Sequence, residues 1–117
     1  MRISDVAAHT GIAPRLLRYY EEQGLLEPVR DASGYRDYSD QDVGVARRIR
    51  QLLDAGLSTQ TIRAVLPCLI ERAGQLTPIC SETIAELRRE QERIEATITT
   101  LATSRDAIAR VIKAANT

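Results

Sequence analysis

Arginine and tyrosine are interleaved in two short runs, Arg15-Leu16-Leu17-Arg18-Tyr19-Tyr20 and Gly34-Tyr35-Arg36-Asp37-Tyr38. All four tyrosines fall in these runs, and the chain has no Phe and no Trp, so its rings are not spread through a core. The chemistry open to such a set is the grip of a phosphate backbone. A guanidinium supplies charge and a planar fork, while a phenol hydroxyl donates to phosphate oxygens and its ring lies against sugars. A catalytic set is not in view: the chain has one His, no pairing of nucleophile with base, and no Gly-rich phosphate loop. No enzyme and no cofactor are expected.

The elements that must position these residues can be read from apolar spacing and punctuation. Ser4 is suited to cap a first helix reaching His9, with Ile3, Val6 and Ala7 on its apolar face and Gly11 as its stop. Pro14 suits the first position of a second helix, which runs to about Gln23 and ends at Gly24. Spacing its residues 100° apart puts Leu16, Leu17 and Tyr20 on one side; Arg15, Arg18, Tyr19 and Glu22 fall on the other. Two such helices joined by a Gly-containing turn form a helix-turn-helix. Leu25 to Arg30, a turn at Asp31-Ala32-Ser33-Gly34, and Tyr35 to Tyr38 then read as a β-hairpin. A period of two points Arg36 and Tyr38 one way and Tyr35 and Asp37 the other. Too small to stand alone, this hairpin must lean on the helices as a wing.

Ser39 and Asp42 start a third helix with Val45, Ala46, Ile49, Leu52 and Leu53 as its buried stripe and Gly56 as its stop. Ser58 opens a fourth, which Pro67 should kink or break near Leu66. Residues 73–75 read as a connection, and Thr77-Pro78 as the start of a last helix of roughly 37 residues, about 55 Å long. In that helix Ile84, Leu87, Ile94, Ile98, Leu101, Ile108 and Ile112 recur on alternating steps of three and four, with only Gln91 and Arg105 out of character at seam positions. This is a coiled-coil seam. A second copy of the chain is the economical cover for it. The fold class expected is therefore all-α with a small β-hairpin wing. Residues 1–72 form a winged helix-turn-helix head and residues 73–117 a dimerisation helix.

Charge tempers the nucleic-acid reading without reversing it. The formal net charge is zero, and residues 1–72 carry ten basic and ten acidic side chains. What matters is clustering on one face, and fifteen of the sixteen cationic residues are Arg. A neutral head should bind random DNA weakly and gain from two heads acting together. Arg47, Arg48 and Arg50 read as a solvated helix face, and His9, the only histidine, as exposed. No stretch approaches the roughly 18 apolar residues of a membrane span, and no signal-peptide pattern opens the chain, so a cytoplasmic location is expected. In that compartment Cys68 and Cys80 should be reduced thiols.

Leu17-Arg18-Tyr19-Tyr20-Glu21 with Gly24-Leu25-Leu26, then Gly34-Tyr35-Arg36 with Tyr38, then Ala55-Gly56-Leu57-Ser58 and Ile62-Arg63 occur in an order and spacing that resemble the MerR family of bacterial transcription regulators. The resemblance spans the whole chain and is sharpest over residues 1–66. It implies a homodimer held by an antiparallel coiled coil, bound to a pseudo-palindromic operator inside an over-long promoter spacer. An effector would bend and untwist the DNA so that RNA polymerase can use the promoter, a switch acting through DNA shape. It implies DNA contacts from Arg15, Arg18, Tyr19 and Tyr20 on the second helix. Gly34 and Tyr35 would shape the wing, and Arg36 and Tyr38 would grip phosphates. Ala13 departs from the family, which commonly has a capping Ser or Thr there; the missing oxygen costs about 1 kcal/mol.

Metal-sensing members place a cysteine near Cys80, completed by others after the long helix. Here a Zn²⁺ or Cu⁺ site would have to draw on Cys68 and Cys80, with help across a dimer; otherwise both are small buried hydrophobes. No metal is expected. The rivals from other classes are an architectural, excisionase-like DNA-bending protein, a thiol- or metal-responsive sensor, and a coiled-coil adaptor whose head binds protein.

Overall fold

The computed structural model describes residues 1–116. Its elements run α1 (Ile3–Thr10), α2 (Pro14–Glu22), β1 (Val29–Arg30), β2 (Arg36–Asp37), α3 (Asp40–Asp54), α4 (Thr59–Val65), a 3₁₀ turn (Leu66–Cys68), β3 (Leu69–Arg72), β4 (Gln75–Pro78) and α5 (Ser81–Ala114). They fall into two compact units: a head, Met1–Ile79, and a tail that begins at Cys80. The head thus ends seven residues beyond the division after residue 72 drawn from sequence.

Local signals set most of the boundaries in the head. Gly11 takes a left-handed φ of 72° and closes α1, and Pro14 opens α2. The cap of α1 differs from expectation. Arg2, not Ser4, is the capping residue, and its N–H donates to the Asp5 carboxylate at 3.0 Å. Ser39 and Asp42 form the reciprocal capping box expected at α3. Pro67 ends α4 and forces the tighter turn that follows, as its missing N–H and its ring demand. Val6, Leu17, Tyr20, Ala46, Ile49 and Ile62 are fully shielded and knit α1 to α4 together. Each aliphatic side chain so buried contributes about 1.5–3 kcal/mol.

Two antiparallel hairpins sit in the head, one more than the sequence suggested. The first pairs Val29 with Asp37 and Arg30 with Arg36. The second pairs Leu69 with Pro78, Ile70 with Thr77, Glu71 with Leu76 and Arg72 with Gln75. The turn between β3 and β4 is Ala73-Gly74, both with positive φ, 52° and 78°. The stretch read as a connection and a helix start is therefore a turn and a strand. A two-residue turn with φ positive at both positions matches the right-handed twist of the strands it joins.

That hairpin also corrects the expectation for the cysteines. Folding the chain back places Ile79 opposite Cys68, whose carbonyl accepts the Ile79 N–H at 2.9 Å. Neither Cys68 nor Cys80 is a free thiol; both are disulfide-bonded.

The tail is one helix of 34 residues, about 51 Å at 1.5 Å per residue. Arg89 pairs with Glu86, and Arg93 with Glu90 at 2.5 Å, each three residues apart along its surface. Ile94, Ile98, Leu101, Ile108 and Ile112 are exposed in the single chain, while Ile84 and Leu87 are half-buried. No helix among the described residues is long and apolar enough to cross a membrane.

Candidate nucleic-acid interface

The helix α2 presents two faces with different work. Leu17 and Tyr20 are fully buried and fix the helix on the head. Arg15, Arg18 and Tyr19 lie on the opposite side, exposed to solvent. This is the side on which a spacing of 100° per residue puts them. Tyr20 is settled as a core ring, and burial pushes its phenol above the ordinary value of 10 despite the opposing Arg50 guanidinium.

The wing is built by side chains more than by backbone, since each strand has only two residues. At its tip the Asp31 carboxylate accepts the Ser33 N–H at 2.8 Å and the Tyr35 N–H at 3.0 Å, and Gly34 supplies a φ of 84°. An Arg2 guanidinium nitrogen lies 2.7 Å from the other Asp31 oxygen, and the same guanidinium sits 5.2 Å from the centre of the Tyr35 ring. The hydrogen bond from Arg2, helped by the two turn N–H groups, holds the Asp31 carboxyl below its ordinary pKa. Met1 adds a further tie: its carbonyl accepts the Tyr38 N–H, and its nitrogen donates to the Tyr38 carbonyl, both at 2.8 Å.

On its inner side the wing meets α2 through Glu21. The Arg36 Nε donates to Glu21 Oε2 at 2.5 Å, and Arg30 approaches Glu21 Oε1 at 3.7 Å. This hydrogen bond raises the Arg36 pKa further, so its charge is permanent at any working pH. Tyr38 departs from the expectation that it faces outward beside Arg36: its ring is 2% exposed. It lies beyond the end of β2, where strand alternation no longer governs it, and its hydroxyl is buried without a hydrogen-bond partner. Burial raises its pKa, and the charges of Arg36, Glu21 and Arg18 all act on it. One buried phenol thus marks where the α2 face and the wing converge.

The structure brings Arg15, Arg18 and Tyr19 onto one exposed helix face and sets Gly34, Tyr35 and Arg36 on the wing beside it; Tyr20 and Tyr38 belong to the interior. Sequence reasoning missed Arg2, Glu21 and Asp31 as builders of this surface. Two arginines directly opposite each other on a hairpin need a counter-charge, and that signal could have pointed to Glu21. Among the described residues no three of His, Cys, Asp and Glu gather into a set that could hold a metal ion.

A short helix-turn-helix with a basic outer face and an arginine-bearing wing defines the class of winged DNA-binding heads. Residues 1–68 match the family described as "MerR HTH family regulatory protein". The chain is 36% identical over 99 residues to the HTH-type transcriptional regulator HmrR of Sinorhizobium medicae, covering 81% of this chain and 67% of that one. It is 33% identical over 105 residues to the heavy metal-dependent transcription regulator 2 of Rhizobium meliloti, covering 86% and 71%. HiNmlR, described as a MerR family regulator lacking the sensor domain and solved bound to promoter DNA, shares the fold with a TM-score of 0.61 at 23% identity, covering 91% of this chain and 78% of that one. The chain belongs to the MerR family of helix-turn-helix transcription regulators, a family of DNA-binding proteins and not of enzymes.

Proposed function

We propose that the chain binds a pseudo-palindromic promoter operator as a homodimer, with Arg15, Arg18 and Tyr19 of α2 in the major groove and Arg36 of the wing on the flanking phosphates. The observation that carries this reading is the division of α2. Leu17 and Tyr20 anchor it, and the side free to meet a groove carries two guanidiniums and a phenol. The dimer rests on α5. Five apolar seam residues from Ile94 to Ile112 are exposed in one chain, and a lone helix gains nothing from such a stripe. An antiparallel partner helix covers them and spaces two heads along one duplex. Bending and untwisting of the promoter, with RNA polymerase as the reader of the new shape, then follow as the mode of regulation.

The test is a titration of Arg18→Ala and Arg36→Ala against the operator at fixed salt. Each should cost about 1–3 kcal/mol of binding, roughly five- to 150-fold, while sedimentation still finds a dimer. Unchanged affinity for both, or monomers at micromolar concentration, overturns the proposal.

The name of the Rhizobium meliloti relative raises a metal as effector. The donors here do not fit. Thiolate is the ligand that soft and borderline metals take, and both cysteines are oxidised in this structure.

A further inference from the structure

We propose that Glu21 is a positioning and specificity-determining residue for DNA binding; the inference rests on the reading of this chain as a DNA-binding regulator. The argument starts from the register of the wing. Arg30 and Arg36 are direct cross-strand partners, so the hairpin places two like charges side by side in its ladder. That arrangement repels unless an anion lies between the two. In the protein alone the anion is the Glu21 carboxylate, which takes Arg36 on Oε2 at 2.5 Å and Arg30 at Oε1 at 3.7 Å.

Glu21 engages Arg36 through Nε only. Among the described contacts the two Nη groups of Arg36 have no protein acceptor, so the outer edge of the fork stays open to a phosphate oxygen. A guanidinium held along one edge has lost its rotamer freedom before DNA arrives, and so it presents donors in one direction. Because Glu21 stands in the last turn of α2, that direction is fixed relative to Arg15 and Arg18 on the same helix. The wing can then meet its phosphate only when α2 is seated in register.

The same carboxylate also holds down binding to random sequence. The head is electrically neutral, and Glu21 cancels part of the field that two wing arginines would otherwise offer to any duplex. Its side chain is 23% exposed, near enough to the surface to repel a misplaced phosphate. Glu21 therefore trades non-specific affinity for discrimination.

The experiment uses the full chain and two duplexes of equal length, one enriched from a randomised library by the wild-type protein and one of scrambled sequence. Failure of the library to enrich on wild type would sink the DNA-binding reading itself, separately from the role of Glu21. With an enriched duplex in hand, Glu21→Gln should weaken it about tenfold, the weight of one mispositioned contact. Binding to the scrambled duplex should hold or tighten, and its slope of log K against log salt should steepen by about 0.9 as one more phosphate is neutralised. Equal losses on both duplexes with unchanged slopes, or no loss on the enriched one, overturn the proposal. Should Glu21→Gln lower folding, Arg36→Lys carries the same test. It keeps the charge but cannot bind carboxylate and phosphate with separate edges, so the enriched duplex should lose about tenfold while the scrambled one does not.

Discussion

The two hairpins of the head are held by different forces. In the wing, two residues per strand leave the backbone little to contribute, and Asp31, Arg2, Glu21 and Arg36 supply the ties. In β3–β4, four registered pairs and an Ala73-Gly74 turn hold the strands together. A hairpin meant to offer arginines to a partner benefits from side-chain ties that a partner's anion can join. A hairpin that only has to end the head and reverse the chain is better closed by backbone. The contrast separates a proposed interface from a clasp within one small unit.

The strongest way to test the contrast is the same strain in both turns. Gly34 and Gly74 sit at φ of 84° and 78°, and a branched side chain at either should cost about 1–2 kcal/mol. Gly74→Val should appear as lowered global stability in urea. Gly34→Val should appear mainly as lost DNA affinity, with a smaller change in the melt. Equal effects on stability with equal DNA binding would erase the distinction.

A second change runs the other way. Ala73 takes a φ of 52° without the freedom of glycine, so Ala73→Gly should stabilise the head by up to about 1 kcal/mol and leave DNA affinity unmoved. A destabilised Ala73→Gly would show that the clasp is not under strain there. A smaller effect comes from salt. Exposed pairs such as Arg2–Asp31 contribute little and are screened by salt, so amide exchange in residues 29–37 should quicken between low and high salt while that in residues 69–78 does not.

The smallest effect is on titration. The Asp31 pKa is depressed in the fold, so its ties are present at neutral pH and are lost as pH falls through that lowered value, below the ordinary carboxyl range near 3.9. Arg2→Ala removes the chief cause. The Asp31 carbon resonance, followed by NMR, should then titrate closer to the ordinary value; an unmoved midpoint would assign the shift to the turn N–H groups alone.

The wing was legible in sequence because Gly34 and a run of Tyr and Arg are strong local signals, whereas the clasp carried weak ones. Ala73-Gly74 lacks the Asn or Asp that announces a turn with positive φ, and Pro78 mimicked the first residue of a helix. Pro78 closes a strand instead, paired with Leu69 in the register. Missing the clasp also hid the fate of Cys68 and Cys80, for which the expected cytoplasmic compartment implies reduced thiols. For the interface, the spacing of α2 placed Arg15, Arg18 and Tyr19 outward, since helical period is unambiguous over nine residues. It could not place Tyr38, one residue beyond a two-residue strand, nor Arg2 and Glu21, whose partners lie 29 and 15 residues away across the fold.

The burial of Tyr20 and Tyr38 has an optical consequence. With no tryptophan and no phenylalanine, the near-ultraviolet absorbance and emission of this protein are dominated by four phenols, two of them inside the head. Alkaline difference spectra should separate the shielded pair from Tyr19 and Tyr35 at the surface. The protein carries its own dye, able to report without any label whether its interior has opened.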